Sequence, residues 1–400
     1  MSIASLAKHR VVIALAAILT VTISFYIYVV DASSRALIDF DVYLQAARAL
    51  AEGEDIYQSP FTMTDRWGRS IQLYYLYPPL LAHILSLFAS LSDASLKLGW
   101  CLINFALMLV TTITLSKLME DSWWKSISFG VRTLIIGFFV LCFEPLYVGN
   151  GDGQVTAIVL ALLVLATLAG ARRYDLSGGA LLALAIQIKM SPALLLLAPI
   201  LFKRWRVVGS CLGTSLLLVL FTIVFGGGLK PFLDFASSLT QTVDDSVFQG
   251  HVFNFDLNRA LLIPLGLSEL PLARWLMKGF LISFAVAGTM AIRSQGGNAY
   301  LRSHGFLITC MIITSPIIWF HHLAWMLLPL TVLAMRPSQN KEERLKFLTI
   351  TLGLYFALSQ TYLLTIWLRK LAPSLMPAST LIPVALLLVV SIAICQQKKP

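Results

Sequence analysis

The chain has 400 residues, of which 58% are hydrophobic and 12% charged, and its mean hydropathy is +0.81. A soluble domain carries about 25% charged residues, so an ordinary cytosolic globular protein is excluded. The net charge of +10, from 30 basic and 20 acidic residues, fits cytoplasmic loops enriched in Lys and Arg and implies no nucleic-acid partner.

The composition reads as an all-α, polytopic integral membrane protein. At about 20 apolar residues per crossing, the hydrophobic content predicts about 10–12 transmembrane helices in one domain spanning 1–400. The five cysteines (Cys101, Cys142, Cys211, Cys310, Cys395) lie in apolar stretches without CxxC spacing, so neither disulfides nor thiolate metal sites are expected.

Lys8 and Arg10 precede the apolar run 11–30. This run is longer than a signal-peptide core, and Val30-Asp31-Ala32 is a poor cleavage site, so it reads as an uncleaved first helix with a cytoplasmic N-terminus. Further apolar runs follow at 77–92, 98–116, 131–148, 154–171, 176–202, 207–226, 273–293, 303–320, 322–335, 347–368 and 374–395. No short-period repeat stands out. Two long polar segments, 31–76 and 227–258, carry an acidic excess and read as external loops. Arg172-Arg173, Lys203-Arg204-Trp205-Arg206, the Lys341, Arg344, Lys346 cluster and Lys398-Lys399 read as internal, which puts the C-terminus in the cytoplasm; Arg369-Lys370 violates the scheme. For Arg172 and Lys203 to share a side, 176–202 must enter the membrane and return, with Lys189-Met190-Ser191-Pro192 at the tip. Segment 77–92 must likewise dip or lie flat, or else 117–130 lies on the other side.

Within the first loop, Phe40, Tyr43, Leu44, Ala47, Leu50 and Ala51 follow helical spacing, with Asp41, Gln45 and Arg48 on the other face. Residues 40–51 therefore predict an amphipathic helix in the outer interface. Asp39 just before it is either an N-cap or a general base at the water–lipid boundary, and the two roles are compatible. Asp41 is a first-turn carboxylate favoured by the helix dipole.

Lys189 at the predicted tip is either a snorkelling lysine or a cationic contact to a lipid-linked phosphate. Gly149-Asn150-Gly151-Asp152-Gly153-Gln154 is a turn and not a P-loop, with Gln154 opening the next helix toward the cavity. His321 and His322 are adjacent and lack the i, i+4 spacing of a metal pair, so metal binding is not expected. They are either interfacial packing or donors to phosphate or sugar. Asp244-Asp245 reads as a solvated loop face. Asn254, Asp256, Asn258 and Arg259 are candidates for sugar or phosphate contacts.

Taken in order, these pieces resemble glycosyltransferase family 87, within the GT-C superfamily. The resemblance rests on Asp39-Phe40-Asp41-Val42-Tyr43, Gly53, Tyr57, Tyr77-Pro78-Pro79, Gly153-Gln154, Lys189-Met190-Ser191-Pro192 with Lys203-Arg204-Trp205, and Ser315-Pro316 with Trp319 and His321-His322. It runs from about residue 10 to 335. Asn254-Phe255-Asp256 departs from the family pattern in the second loop.

The resemblance implies a GT-C-type helical fold and transfer of a sugar from a polyprenyl-phosphate donor to a hydroxyl of an external glycan or glycolipid. The sugar is expected to be mannose or similar, or arabinofuranose. It further implies inversion at the anomeric carbon, no obligatory metal, and no cofactor. Asp39 is the expected base, with Asp41 as the alternative. Lys189, His321, His322 and Arg259 are expected at the donor phosphate, and Tyr43, Tyr77, Gln154 and Asn254 at the sugar or acceptor. The implied location is the plasma membrane, with the site external. A secondary transporter or lipid flippase is the alternative, because broken helices with a buried lysine also occur there.

Overall fold

The computed structural model describes residues 3–58, 60–64, 70–226, 228–244, 255, 261–262, 265–267, 270–315, 317–336, 340–371 and 376–396. Among the described residues the fold is helical, apart from one antiparallel hairpin of β1 (Phe61–Thr64) and β2 (Ser70–Leu73), in which Phe61 pairs with Leu73.

Among the described residues, four helices are long and apolar enough to cross a membrane: Val11–Asp31, Asp93–Asp121, Trp205–Phe225 and Pro271–Ser294. Two bent pairs raise this to six, and five further apolar helices are shorter than 18 residues. About 10–12 transmembrane helices are expected from the twelve apolar runs; among the described residues several of these runs fold instead as shorter, broken or returning helices. The run 77–92 holds only α3 (Pro79–Ser86), eight residues, or about 12 Å, which is too short to cross.

The first helix, α1 (Ile3–Phe25), runs through a π-helical turn, Tyr26–Asp31, into the loop that carries α2 (Ile38–Ala51). The helix α4 (Asp93–Leu118) starts from a Ser92 cap whose side chain accepts from the Ser95 N–H. It is followed by α5 (Phe129–Leu141) and α6 (Glu144–Gly151), bent 59° where Pro145 interrupts the run. Next comes α7 (Thr156–Ala171).

The segment after α7 returns on itself as the charge pattern requires. The helix α8 (Asp175–Ile188) has 14 residues, about 21 Å long. Lys189 takes an extended backbone (φ −149, ψ 126) and ends it; Pro192, three residues on, has no N–H with which to continue. The chain comes back as a six-residue 3-10 turn, Ser191–Leu196, and α9 (Leu197–Leu201), together about 20 Å. The two limbs match in length, so the chain ends where it entered. There Arg204 pairs with Asp175 and donates to the Gly170 carbonyl at 2.6 Å.

After α10 (Trp205–Phe225), α11 (Lys230–Asp244) and α12 (Pro271–Ser294), the same plan recurs. The helix α13 (Ala299–Thr314) stops at Ser315, before Pro316. The chain returns through a 3-10 turn, Phe320–Met326, and α14 (Leu327–Ala334). Gly305 close to the middle of α13 faces Val332 near the end of the return, where an added Cβ would lie 3.1 Å from the Val332 side chain. The chain closes with α15 (Lys341–Ser359), α16 (Thr361–Leu371) and α17 (Met376–Cys395). Two helix–proline–return hairpins therefore sit side by side, a recurrence that no short period in the sequence displays.

Candidate active site

The site forms where the two hairpin tips meet the first loop. Its floor is the turn that ends α6. Gly153 has φ +75, and a Cβ there would lie 2.6 Å from Phe40 Cβ and 2.9 Å from Leu37 Cβ, so only glycine lets α2 rest on this turn. The Asp39 N–H donates to the Asp152 carbonyl at 2.8 Å, and the Trp100 indole donates to the Gly153 carbonyl at 2.9 Å. The Phe40 and Trp100 rings stack at 4.8 Å.

Asp39 is thus the second residue of α2 and not its cap. Leu37 holds the cap position without a side-chain bond, and the Asp152 carbonyl takes one of the N–H groups a cap would satisfy. The Asp39 carboxyl is pushed up to about 7, first by burial and then by the nearby Asp152 carboxylate. A hydrogen bond from the Gln154 amide and the charge of Lys189 pull the other way. Asp41 points elsewhere, to the Lys97 ammonium at 2.9 Å. Burial raises its carboxyl, and the Lys97 contact offsets this.

Behind Asp39 lies a buried polar triangle. The Tyr43 and Tyr77 hydroxyls are 2.9 Å apart, and they lie 3.1 Å and 2.9 Å from Gln154 Oε1. Tyr57 packs beside them and donates to the Tyr77 carbonyl at 2.9 Å. Lys189 enters from the first hairpin tip, with Nζ over the rings of Tyr77 and Trp325, 5.4 Å from each centroid.

From the second hairpin, His322 places Nε2 2.6 Å from Lys189 Nζ, stacks on Trp325, and takes the Trp319 N–H at its other nitrogen. His321 stands perpendicular to it, buried, and its Nε2 has no hydrogen-bond partner among the described residues. Gly149 lets His321 approach, since a Cβ there would sit 3.1 Å from that of His321.

The structure therefore unites Asp39, Tyr43, Tyr77, Gln154, Lys189 and His322, sets His321 beside them, and turns Asp41 away. Asn254 and Arg259, with Asp256 and Asn258, lie outside the described residues, as does the backbone of Asp245. Sequence reasoning missed Trp325, which stacks on His322, and Trp100, which ties the floor to α4. Both lie in apolar runs where an indole looks like packing.

The charged groups divide between the two ends of the bundle. At the site end are the pairs Arg48–Asp93, Lys97–Asp41, and Lys230 with Asp55 and Asp234. At the other end Arg132 and Arg172 gather on Glu120, and Arg204 meets Asp175. The Trp123 and Trp124 indoles both donate to the Ala334 carbonyl there, next to the start of the basic stretch Arg336–Lys346. No group of three or more His, Cys, Asp or Glu side chains is placed to hold a metal among the described residues.

In this helical membrane protein a carboxylate, a lysine and a histidine thus converge at one end of the bundle. The family model for glycosyltransferase family 87 matches residues 75–316, more than half of the chain, and the protein belongs to that family. It is a membrane glycosyltransferase. The matched stretch includes Tyr77, Gln154 and Lys189, with Asp39 and the two histidines on either side.

Two curated relatives are similar over most of their length. One is the polyprenol-phosphate-mannose-dependent alpha-(1-2)-phosphatidylinositol mannoside mannosyltransferase of Mycolicibacterium smegmatis, 27% identical over 317 residues, covering 74% of this chain and 70% of the relative. The other is the protein of the same description from Mycobacterium tuberculosis, 24% identical over 331 residues, covering 78% and 74%.

Proposed function

We propose that this glycosyltransferase moves a sugar, mannose or a close analogue, from a polyprenyl-phosphate donor to a hydroxyl of a glycolipid or glycan, with inversion and without an obligatory metal. The observation that carries the proposal is the convergence of Asp39 with the Lys189–His322 pair. The relatives' dependence on polyprenol-phosphate-mannose supports the donor class, and their phosphatidylinositol mannoside acceptor supports a glycolipid.

In this reading the acceptor oxygen attacks the anomeric carbon as its proton passes to the Asp39 carboxylate. The bond from that carbon to the phosphate oxygen breaks, and polyprenyl phosphate leaves. One displacement on the face opposite the phosphate inverts the centre. A carboxylate whose pKa lies near neutrality suits a general base. Charge growing on the phosphate oxygens is met by Lys189 Nζ, which His322 holds in place, with His321 as a further donor.

We place the site on the external side of the plasma membrane and both termini in the cytoplasm. The support is the basic excess at the opposite end of the bundle, since cytoplasmic ends are enriched in Lys and Arg.

The test uses purified protein in nanodiscs, a panel of polyprenyl-phosphate sugars and a membrane glycolipid extract, with free polyprenyl phosphate as the readout. Acceptor-dependent release by wild type, lost in Asp39→Asn and retained in Asp41→Asn, is expected. Normal release by Asp39→Asn would overturn the base assignment, and no release with any donor would overturn the donor class.

A further inference from the structure

We propose that Gln154 is a positioning residue for Asp39: its amide is locked with the oxygen toward the Tyr43 and Tyr77 hydroxyls and the nitrogen toward the carboxylate, whose orientation it thereby fixes. This inference rests on the reading of Asp39 as the general base.

The orientation of a glutamine amide follows from its partners. Here Oε1 lies within 3.1 Å of two phenolic hydroxyls. Phenols are good donors, and at least one of their two protons must point at Oε1, because the hydroxyls can share only one between themselves. With the oxygen so occupied, the NH2 group is left for the neighbouring Asp39 carboxylate, whose ionised form it favours. The reverse arrangement would set a carbonyl oxygen against a carboxylate. Tyr43 is 0% exposed, Gln154 4% and Tyr77 9%, so water does not replace these bonds.

Both partners are also fastened to one turn. The Gln154 N–H donates to the Gly149 carbonyl at 2.8 Å, and the Asp39 N–H to the Asp152 carbonyl at 2.8 Å. Tyr77 joins this half to the other, since its ring carries Lys189 on its face. A buried glutamine whose carbonyl is taken by two tyrosines is poorly placed to hold a sugar hydroxyl and well placed to aim a carboxylate.

The test measures kcat/KM against pH for the full-length protein in nanodiscs with polyprenyl-phosphate mannose, for wild type, Gln154→Leu, Tyr77→Phe and Asp39→Asn. Removing a hydrogen bond to a charged group corresponds to a shift of about one pH unit or more. Gln154→Leu is therefore expected to move the acid limb of the profile up by about one unit. Its rate should fall about fivefold near pH 7 and about tenfold well below it, and recover toward wild type near pH 9, with the donor KM little changed.

Tyr77→Phe keeps the ring and loses one donor to Oε1, so it should shift the limb in the same direction by less. A drop that is uniform at every pH in both variants would overturn the proposal, as would an unshifted limb in folded Tyr77→Phe should Gln154→Leu not fold. Full activity in Asp39→Asn would instead sink the base assignment on which the proposal rests.

Discussion

Gly153→Ala probes the contact that sets Asp39 in place. The new methyl would lie 2.6 Å from Phe40 Cβ, 2.9 Å from Leu37 Cβ and 3.1 Å from the Phe40 backbone nitrogen. None of these is the end of a flexible chain, so α2 or the turn must move. Holding alanine at φ +75 costs about 1–2 kcal/mol, and overpacking adds about 1–3 kcal/mol, for a destabilisation of roughly 2–5 kcal/mol. The Asp39-to-Asp152 and Trp100-to-Gly153 bonds lie in the path of that movement.

A displacement of the base by about 1 Å is expected to lower turnover about a hundredfold. Gly151→Ala, two residues away, is the matched control. Its Cβ meets nothing within 4 Å, and Ala in a helix is favoured over Gly by about 0.5–1 kcal/mol. The assay is thermal unfolding in detergent together with release of polyprenyl phosphate in nanodiscs. Gly153→Ala with wild-type melting temperature and turnover would refute the reasoning, as would equal losses in both variants.

With the Asp39 carboxyl at about 7, kcat/KM should fall roughly tenfold per unit as pH drops below about 7, where the base is protonated. Because its folded-state pKa is raised, Asp39 costs stability as pH rises from about 4 through 7, so Asp39→Asn should melt above wild type at pH 8 while losing turnover. Lys189→Met should lower kcat by about 10²–10³ through lost stabilisation of the leaving phosphate, measured under saturating donor. Lys97→Met leaves the half-buried Asp41 unpaired; it should lower stability by about 1–2 kcal/mol and keep most of the turnover. Arg204→Met leaves Asp175 unpaired at the base of the first hairpin, and breaking such a buried pair should cost about 3–5 kcal/mol in unfolding experiments.

Much of this architecture is legible in the sequence because lipid and proline impose local rules. Apolar runs must be long where they cross, and α4, α10 and α12 are read directly from them. Proline cannot continue a helix, so the break at Lys189 and the stop at Ser315 are visible residue by residue. The return of 176–202 follows from Arg172 and Lys203 needing the same side. A helix over 40–51 follows from its spacing; the structure starts it two residues earlier, at Ile38, and Asp39 is not its cap, since the Asp152 carbonyl that takes its N–H is 113 residues away in the chain.

What the tertiary structure alone decides is which polar groups meet. Asp39, Gln154, Lys189 and His322 are separated by at least 35 residues at each step, and no periodicity relates them. Asp39 differs from Asp41 only by where α2 turns them, one toward Gln154 and the other toward Lys97. His322 differs from His321 only by which ring reaches the tip of the first hairpin. Hydrophobic pattern specifies each helix separately. The site exists because two hairpins of matching depth end at one level, a consequence of packing that no stretch of sequence carries alone.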